Sequence, residues 1–444
     1  MNRRNKLAFV AIGFCLSLVS SRTPATEVIS FSKDIAPIFQ EYCVACHGAK
    51  KAEGGYRIDT FSDLIKVGDS EQTPIAAKDP HASELLRRLT TSDESERMPA
   101  ESEPLSAEQI KLISDWIAAG AAFDGSDESA LLAFVIPAPQ YSPPPDKYNV
   151  NIPLTAVAFS PDGSQILAGG YHEITVWNAA DAKLVRRIQN IGQRVFAIAM
   201  SPDGKTLAVA CGEPGRSGEV RLIDFTTGEV KGVVGRSTDV ALDVAYRPHS
   251  DELAIASADQ SIRIVNSKTQ EVVRTLSSHA DWVTAIAWSD DGKRLVAASR
   301  DKSAKVFERE TGQMLVSYQG HGAAVRGVAF TPDALQVLSV GTDNKLHRWN
   351  VQDAKKVAEV GIGGEGYRVV RGDGFVLIPC SDRRLLKFDL ASNKIAQEFK
   401  GHEDWVLSVA MHAADSRIVS GAFNGEVRLW NLDGNLIKNW IARP

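Results

Sequence analysis

At 444 residues the chain is too long for one ordinary core, so two domains or a repeat architecture is expected. Its hydrophobic and charged fractions, 44% and 24%, are those of a soluble globular protein. The net charge of −5 divides into +4 over residues 1–26, −10 over 27–128 and +1 over the rest, so no clustered positive charge offers a nucleic-acid footprint.

The chain opens with basic Arg3, Arg4 and Lys6, an apolar run from Leu7 to Val19, and small residues before a cut site after Ala25. This pattern predicts a secretory signal peptide over 1–25 and a periplasmic or otherwise exported mature protein. Bulky Phe14 precedes Cys15 where a lipoprotein site needs a small residue, so no acyl anchor is expected. No later apolar run reaches the roughly 20 residues of a membrane span, so no transmembrane segment is expected after signal cleavage.

The acidic region that follows reads as helical. From Ser32, the expected N-cap, apolar residues recur at Ile35, Ile38, Phe39, Tyr42, Cys43 and Cys46, the spacing of one helix face, which points both thiols the same way. Asp79 and Pro80 open a shorter helix through "HASELLRRL". In "LSAEQIKLISDWIAAG", Ser106 and Gln109 form a capping box, Ile110, Ile113, Trp116 and Ile117 make a buried stripe, and Gly120 ends the helix. Three such helices in about 100 residues bury little apolar surface unaided, and a large flat cofactor would help to fill their core.

The stretch "EYCVACHGAK" says which cofactor that would be. In a Cys-x-x-Cys-His run, two thiols one helical turn apart can each form a thioether to a haem vinyl, and the next residue can ligate the iron. Cys43 and Cys46 are therefore the expected anchors of one covalent haem c, with His47 as its axial ligand. Zinc would require two further ligands, and Cys211 and Cys380 are solitary and distant. A redox dithiol would be expected in a βαβ setting, which this region lacks. For the other axial position Met98, in "ERMPAESEPLS", is favoured: it is the only methionine of the region, and its flanking charges and proline make a poor core sequence. His81 is the rival, but it stands beside Asp79 at an expected helix start, where exposure is the more natural fate.

The set "CVACHG", "GGYRIDT", "DPHASELLRRL", "ERMP" and "LSAEQIKLISDWIAAGA" is similar, in order and spacing, to the planctomycete-type cytochrome c domain, and the resemblance covers residues 26–124. It implies a monohaem cytochrome with His47 and Met98 as axial ligands. Where the family has a second proline after Met-Pro, this chain has Ala100.

After Asp124, "GSDES" and "IPAPQYSPPPDKYN" predict a Pro-rich, extended linker over 125–150. Beyond it "AVAFSPDG", "AIAMSPDG", "DVAYRPHS", "AIAWSDDG", "GVAFTPDA", "RVVRGDG" and "SVAMHAAD" recur about every 40 to 46 residues, each followed by an alternating strand. These seven copies over 151–444 resemble the WD-repeat β-propeller. The expected fold is thus a small all-α cytochrome c-like domain followed by an all-β seven-bladed propeller. His321, Ser339, Asp343 and Trp349 match the buried tetrad of WD repeats and read as a structural lock, degraded elsewhere by Phe307 for Trp and Asn424 for Asp. Cys211 and Cys380 fall in separate copies and read as buried free thiols.

The loops leading into the innermost strands form the expected binding face. Trp282 and Trp405 occupy equivalent positions there, Arg326 and Arg368 stand at channel-side positions, and Arg300 and Phe423 should flank them. Two function classes follow. The favoured one is an exported electron-transfer or haem-binding protein whose propeller docks a protein or redox partner, with no catalytic residues of its own. The alternative is a haem-dependent oxidoreductase whose propeller holds a second cofactor or substrate.

Overall fold

The structure is a computed structural model that describes residues 29–49, 51–100 and 103–444, with backbone alone at 133 and 134. The expected signal peptide, with Cys15, lies outside the described residues. The chain divides into two compact units, one ending at Pro137 and one beginning at Ala138. No helix of the described residues is long and apolar enough to cross a membrane.

In the first unit, a π-helical turn Phe31–Ile35 runs into α1, Ala36–Tyr42. The N-cap is Ser30 rather than the predicted Ser32: its hydroxyl accepts from Lys33 N–H, while the Ser32 amide is taken by Asp124 at 2.8 Å. Then come α2, Phe61–Leu64, and α3, Glu84–Thr90, which starts at Ser83 and not at Asp79 because residues around Pro80 form a turn instead. The long helix α4, Ala107–Ala118, carries the predicted capping box, with Gly120 just beyond it at φ 114. Its Ile113, Trp116 and Ile117 are buried. Phe31 is the centre of the core, with ring centroids 5.0 Å from Phe61, 5.3 Å from Trp116 and 5.7 Å from Phe123. Burial of aromatic rings of this size supplies most of what such a small unit can gain from water exclusion.

The segment predicted as a linker is divided between the two units. Residues 125–137 belong to the first: Leu132, in α5 (Leu132–Val135), is fully buried and its amide donates to Asp59 O at 2.8 Å. Residues 138–150 lie on the second, where Arg221 donates to Pro139 O at 2.6 Å and Tyr148 to Tyr171 O at 2.9 Å. Proline-rich sequence exposes carbonyls without matching amides, and here arginine side chains satisfy two of them, Arg221 at Pro139 O and Arg187 at Pro145 O, the latter at 2.8 Å.

The second unit is seven four-stranded antiparallel sheets, each built from consecutive strands. The first runs Val157–Phe159, Gln165–Gly169, Ile174–Asn178 and Leu184–Ile188; the last runs Val406–His412, Arg417–Ala422, Glu426–Trp430 and Leu436–Ile441. This is the predicted seven-bladed propeller. The recurrent Ser-x-Asp turn has a local cause: Ser160 donates to Asp162 at 2.6 Å while accepting from Gln165 N–H at 2.9 Å, and Ser201, Ser289 and Thr331 repeat the pattern.

The blade locks are as predicted in the fifth copy. His321 Nδ1–H donates to Asp343 at 2.9 Å, Nε2 accepts from Ser339 at 2.8 Å, and Trp349 Nε1–H donates to Ser339 at 3.1 Å. The seventh copy, which lacks the aspartate, is repaired: Glu426, two residues past Asn424, takes His402 Nδ1–H at 2.9 Å, and Ser420 and Trp430 complete the set. In the fourth copy Phe307 supplies no N–H, Ser299 turns to Asp281 O, and buried His279 Nε2 has no partner.

These histidines make the ring acid-sensitive. Burial lowers the affinity of His279, His321, His347 and His402 for protons, and His347 is down at about 4 because burial is joined by charge repulsion from the neighbouring His321 ring. In the unfolded chain such rings protonate near 6.5. Between those values the unfolded state binds more protons, so stability is fully present above pH 6.5 and is lost as pH falls toward 4. The thermal midpoint of the propeller should therefore be level above that window and drop through it; a midpoint unchanged across it would show that the histidines are not held neutral.

Candidate functional site

The predicted haem motif begins where α1 ends. Tyr42 is the last helical residue, so the helix face predicted to reach Cys46 stops short and Cys43 caps it. A single further turn follows, with His47 N–H donating to Cys43 O at 3.0 Å and Cys46 N–H to the same oxygen at 3.2 Å. The one-turn separation of the two sulfurs is thus kept without a continuing helix. Gly48 closes the bend where a Cβ would lie 2.6 Å from Val44 O.

His47 is fixed by a backbone group the sequence did not single out. Its Nδ1 lies 3.2 Å from Tyr56 O, and a carbonyl only accepts, so Nδ1 holds the proton and Nε2 carries the lone pair. That is the tautomer an iron ligand needs, oriented by a hydrogen bond behind it. Tyr56 is held in turn by its hydroxyl, which donates to Leu64 O at 2.8 Å. The approach is made by Gly54 and Gly55, at φ 62 and 63; a Cβ on Gly55 would stand 2.2 Å from Asp69 Oδ1. The stretch "GGYRIDT" held that signal.

Cys43 is half-buried and Cys46 exposed, both free thiols. Burial, and then the neighbouring Cys46, push the Cys43 thiol up to about 12. At neutral pH Cys43 is therefore held as the protonated thiol. Tyr42, Cys43, Val44, Tyr56 and Met98 all pack as a half-buried fringe against the one apolar core of the unit. The Met98 amide donates to Arg88 O at 2.9 Å, which ties its loop to α3. His81 is exposed in the turn before that helix. Two thiols a turn apart, an imidazole with its outer nitrogen free and a thioether on the same core fringe form a donor set that fits haem c.

On the propeller, Trp282 and Trp405 are equivalent: each directly precedes an inner strand and accepts a backbone bond, from Arg300 N–H at 2.9 Å and Phe423 N–H at 2.8 Å respectively. The predicted flanking residues are in place. Arg300 lies 4.2 Å over the half-buried Trp282 ring and pairs with Asp281, while Trp405, 49% exposed, lies 5.7 Å from Phe423, 46% exposed. Arg326 is exposed, over the Tyr367 ring at 5.7 Å. Arg368 has a different setting. It reaches across the axis to Asp243 at 3.0 Å and to Phe196 O at 2.9 Å, so its charge is engaged inside the ring rather than on the rim.

His321, Asp343 and His347 also lie close enough to be compared with a metal centre. Their rings stack at 3.9 Å and 14°, so their in-plane lone pairs run parallel instead of converging, and both His321 nitrogens are engaged. This cluster is a packing element. Cys211 and Cys380 are buried free thiols in separate blades.

Residues 43–102 match the family model of the planctomycete cytochrome C, residues 149–178 and 393–431 that of the WD domain, G-beta repeat, and residues 244–332 that of the anaphase-promoting complex subunit 4 WD40 domain. No curated protein matches the chain. The chain therefore joins a cytochrome c-like, haem-binding domain to a WD propeller of the kind that serves as an interaction scaffold.

Proposed function

We propose that the protein is an exported c-type cytochrome that carries one covalent haem and transfers electrons, with the propeller docking its protein partner. The observation that carries the reading is the arrangement of Cys43, Cys46 and His47, in which both thiols are a turn apart and Tyr56 O locks the imidazole tautomer. Cys43 and Cys46 would hold the haem through thioethers, the sulfur and hydrogen of each thiol adding across one vinyl group, and His47 Nε2 and Met98 Sδ would be the donors to its iron. The bound haem contributes one-electron exchange, its potential raised by a thioether relative to a second imidazole. The N-terminal sequence pattern supports export, where thioether attachment and free partners would be completed.

Met98→Ala should abolish the sulfur-to-iron charge-transfer band of the oxidised protein and lower its midpoint potential, whereas His81→Ala should change neither. An unaltered band in the first variant would remove Met98 from the iron.

For the scaffold, the paired aromatic and cationic groups at Trp405–Phe423, Trp282–Arg300 and Arg326–Tyr367 are the composition of interaction hot spots. Trp405→Ala combined with Trp282→Ala should weaken partner binding by about thirtyfold, about 2 kcal/mol, at an unchanged melting temperature. Intact binding with a lowered melting temperature would make these tryptophans packing residues.

A further inference from the structure

Arg97 stands immediately before Met98 and is the one arginine of the helical unit whose guanidinium meets no carboxylate among the described residues. Arg57 pairs with Asp59 and Asp63, Arg87 with Glu84 and Glu96, and Arg88 with Glu84. Yet Arg97 is half-buried, and its Nε is buried with no hydrogen-bond partner. A charged donor held away from water without an acceptor costs on the order of 1–3 kcal/mol or more. The region's charge of −10 makes a half-buried cation without a carboxylate stranger still, since acidic partners are plentiful. Glu96 and Glu84, the carboxylates next in sequence and on α3, are already taken by Arg87 and Arg88.

We propose that Arg97 is the counter-ion of a haem propionate, a role that rests on the haem reading above. Haem brings two carboxylates of its own into a domain that is already acidic, and each must be neutralised if it is to approach the protein. A guanidinium fork binds a carboxylate through two parallel N–H donors, one of which can be the orphaned Nε. Next to the methionine ligand, Arg97 is placed to meet the edge of the macrocycle while Met98 meets its metal. The pairing has an electrical consequence. A fixed positive charge near the iron favours the reduced state, so Arg97 holds the potential up against the acidic surroundings.

The experiment compares wild type, Arg97→Gln and Lys111→Gln as purified holoproteins. Lys111 pairs on the exposed face of α4 with Asp115, so its variant removes the same charge from the surface. Haem content is read from the pyridine haemochrome spectrum, methionine ligation from the charge-transfer band, and propionate hydrogen bonding from the propionate bending mode in resonance Raman. In Arg97→Gln the haem content and the band should be retained, the bending mode should shift, and the reduced-to-oxidised ratio at fixed potential should fall about tenfold, or about 59 mV. Lys111→Gln should leave the bending mode in place. Should Arg97→Gln not fold, Arg97→Lys keeps the charge, loses the fork and should still shift the mode. A variant with full haem and the wild-type bending mode and potential would overturn the role of Arg97 and leave the haem reading standing; a folded wild type without haem would overturn both.

Discussion

A sheet with two apolar faces is stable only when a neighbour covers each face, and a ring of such sheets must find its last neighbour where the two ends of the chain meet. In this protein the seam falls between the first and seventh blades, and no strand is shared across it, because each blade is made of its own four consecutive strands. Side-chain packing closes the ring instead. Leu154, Val157, Phe159 and Trp177 from one side join Val419, Val427 and Leu429 from the other in one buried cluster. Leu154 N–H donates to Ala422 O at 3.1 Å, Ser408 donates to Leu154 O at 2.7 Å, and the Trp177 and Trp440 rings stand 6.2 Å apart. Everything the loop face can do depends on that closure, since it sets the spacing of Trp405 in the seventh blade from Trp282 in the fourth.

The axis is braced as well. Buried Asp243 accepts Ile286 N–H from the next blade at 3.0 Å and the Arg368 guanidinium from the far side of the ring. A buried carboxylate left without its arginine would cost several kcal/mol, so this pair resists loosening of the ring more than it adds to stability. In the helical unit the corresponding constraint is the aromatic core around Phe31. Phe61 and Trp116 are buried in it, while Tyr42, Cys43 and Met98 pack against it only half-buried.

What the sequence made legible was local. The Ser106–Gln109 box and the turn at Ser160 are each decided within a few residues, and each is found as read, whereas the helix expected to run on to Cys46 ends at Tyr42. The tetrad of His321 and Ser339 was legible because a repeat copies it. What escaped depends on partners far along the chain or on backbone atoms with no signature. Tyr56 acts through its carbonyl, which any residue possesses. Arg368 finds Asp243 only after the ring has closed, and the loss represented by Asn424 is made good by Glu426 from the next strand. The prolines after Asp124 pointed to an extended linker, and Leu132 and Arg221 have burial and carbonyl bonds there that a composition cannot show.

Covalent haem on Cys43 and Cys46, ligated by His47, is the proposal on which the functional reading rests. The most direct measurement is the intact mass, under denaturing conditions, of the protein purified from a host that matures c-type cytochromes, alongside the double variant Cys43→Ala, Cys46→Ala. The wild-type polypeptide should exceed its processed mass by a single haem that survives denaturation, and the variant should not. A folded wild-type protein with the mass of the bare polypeptide would contradict it.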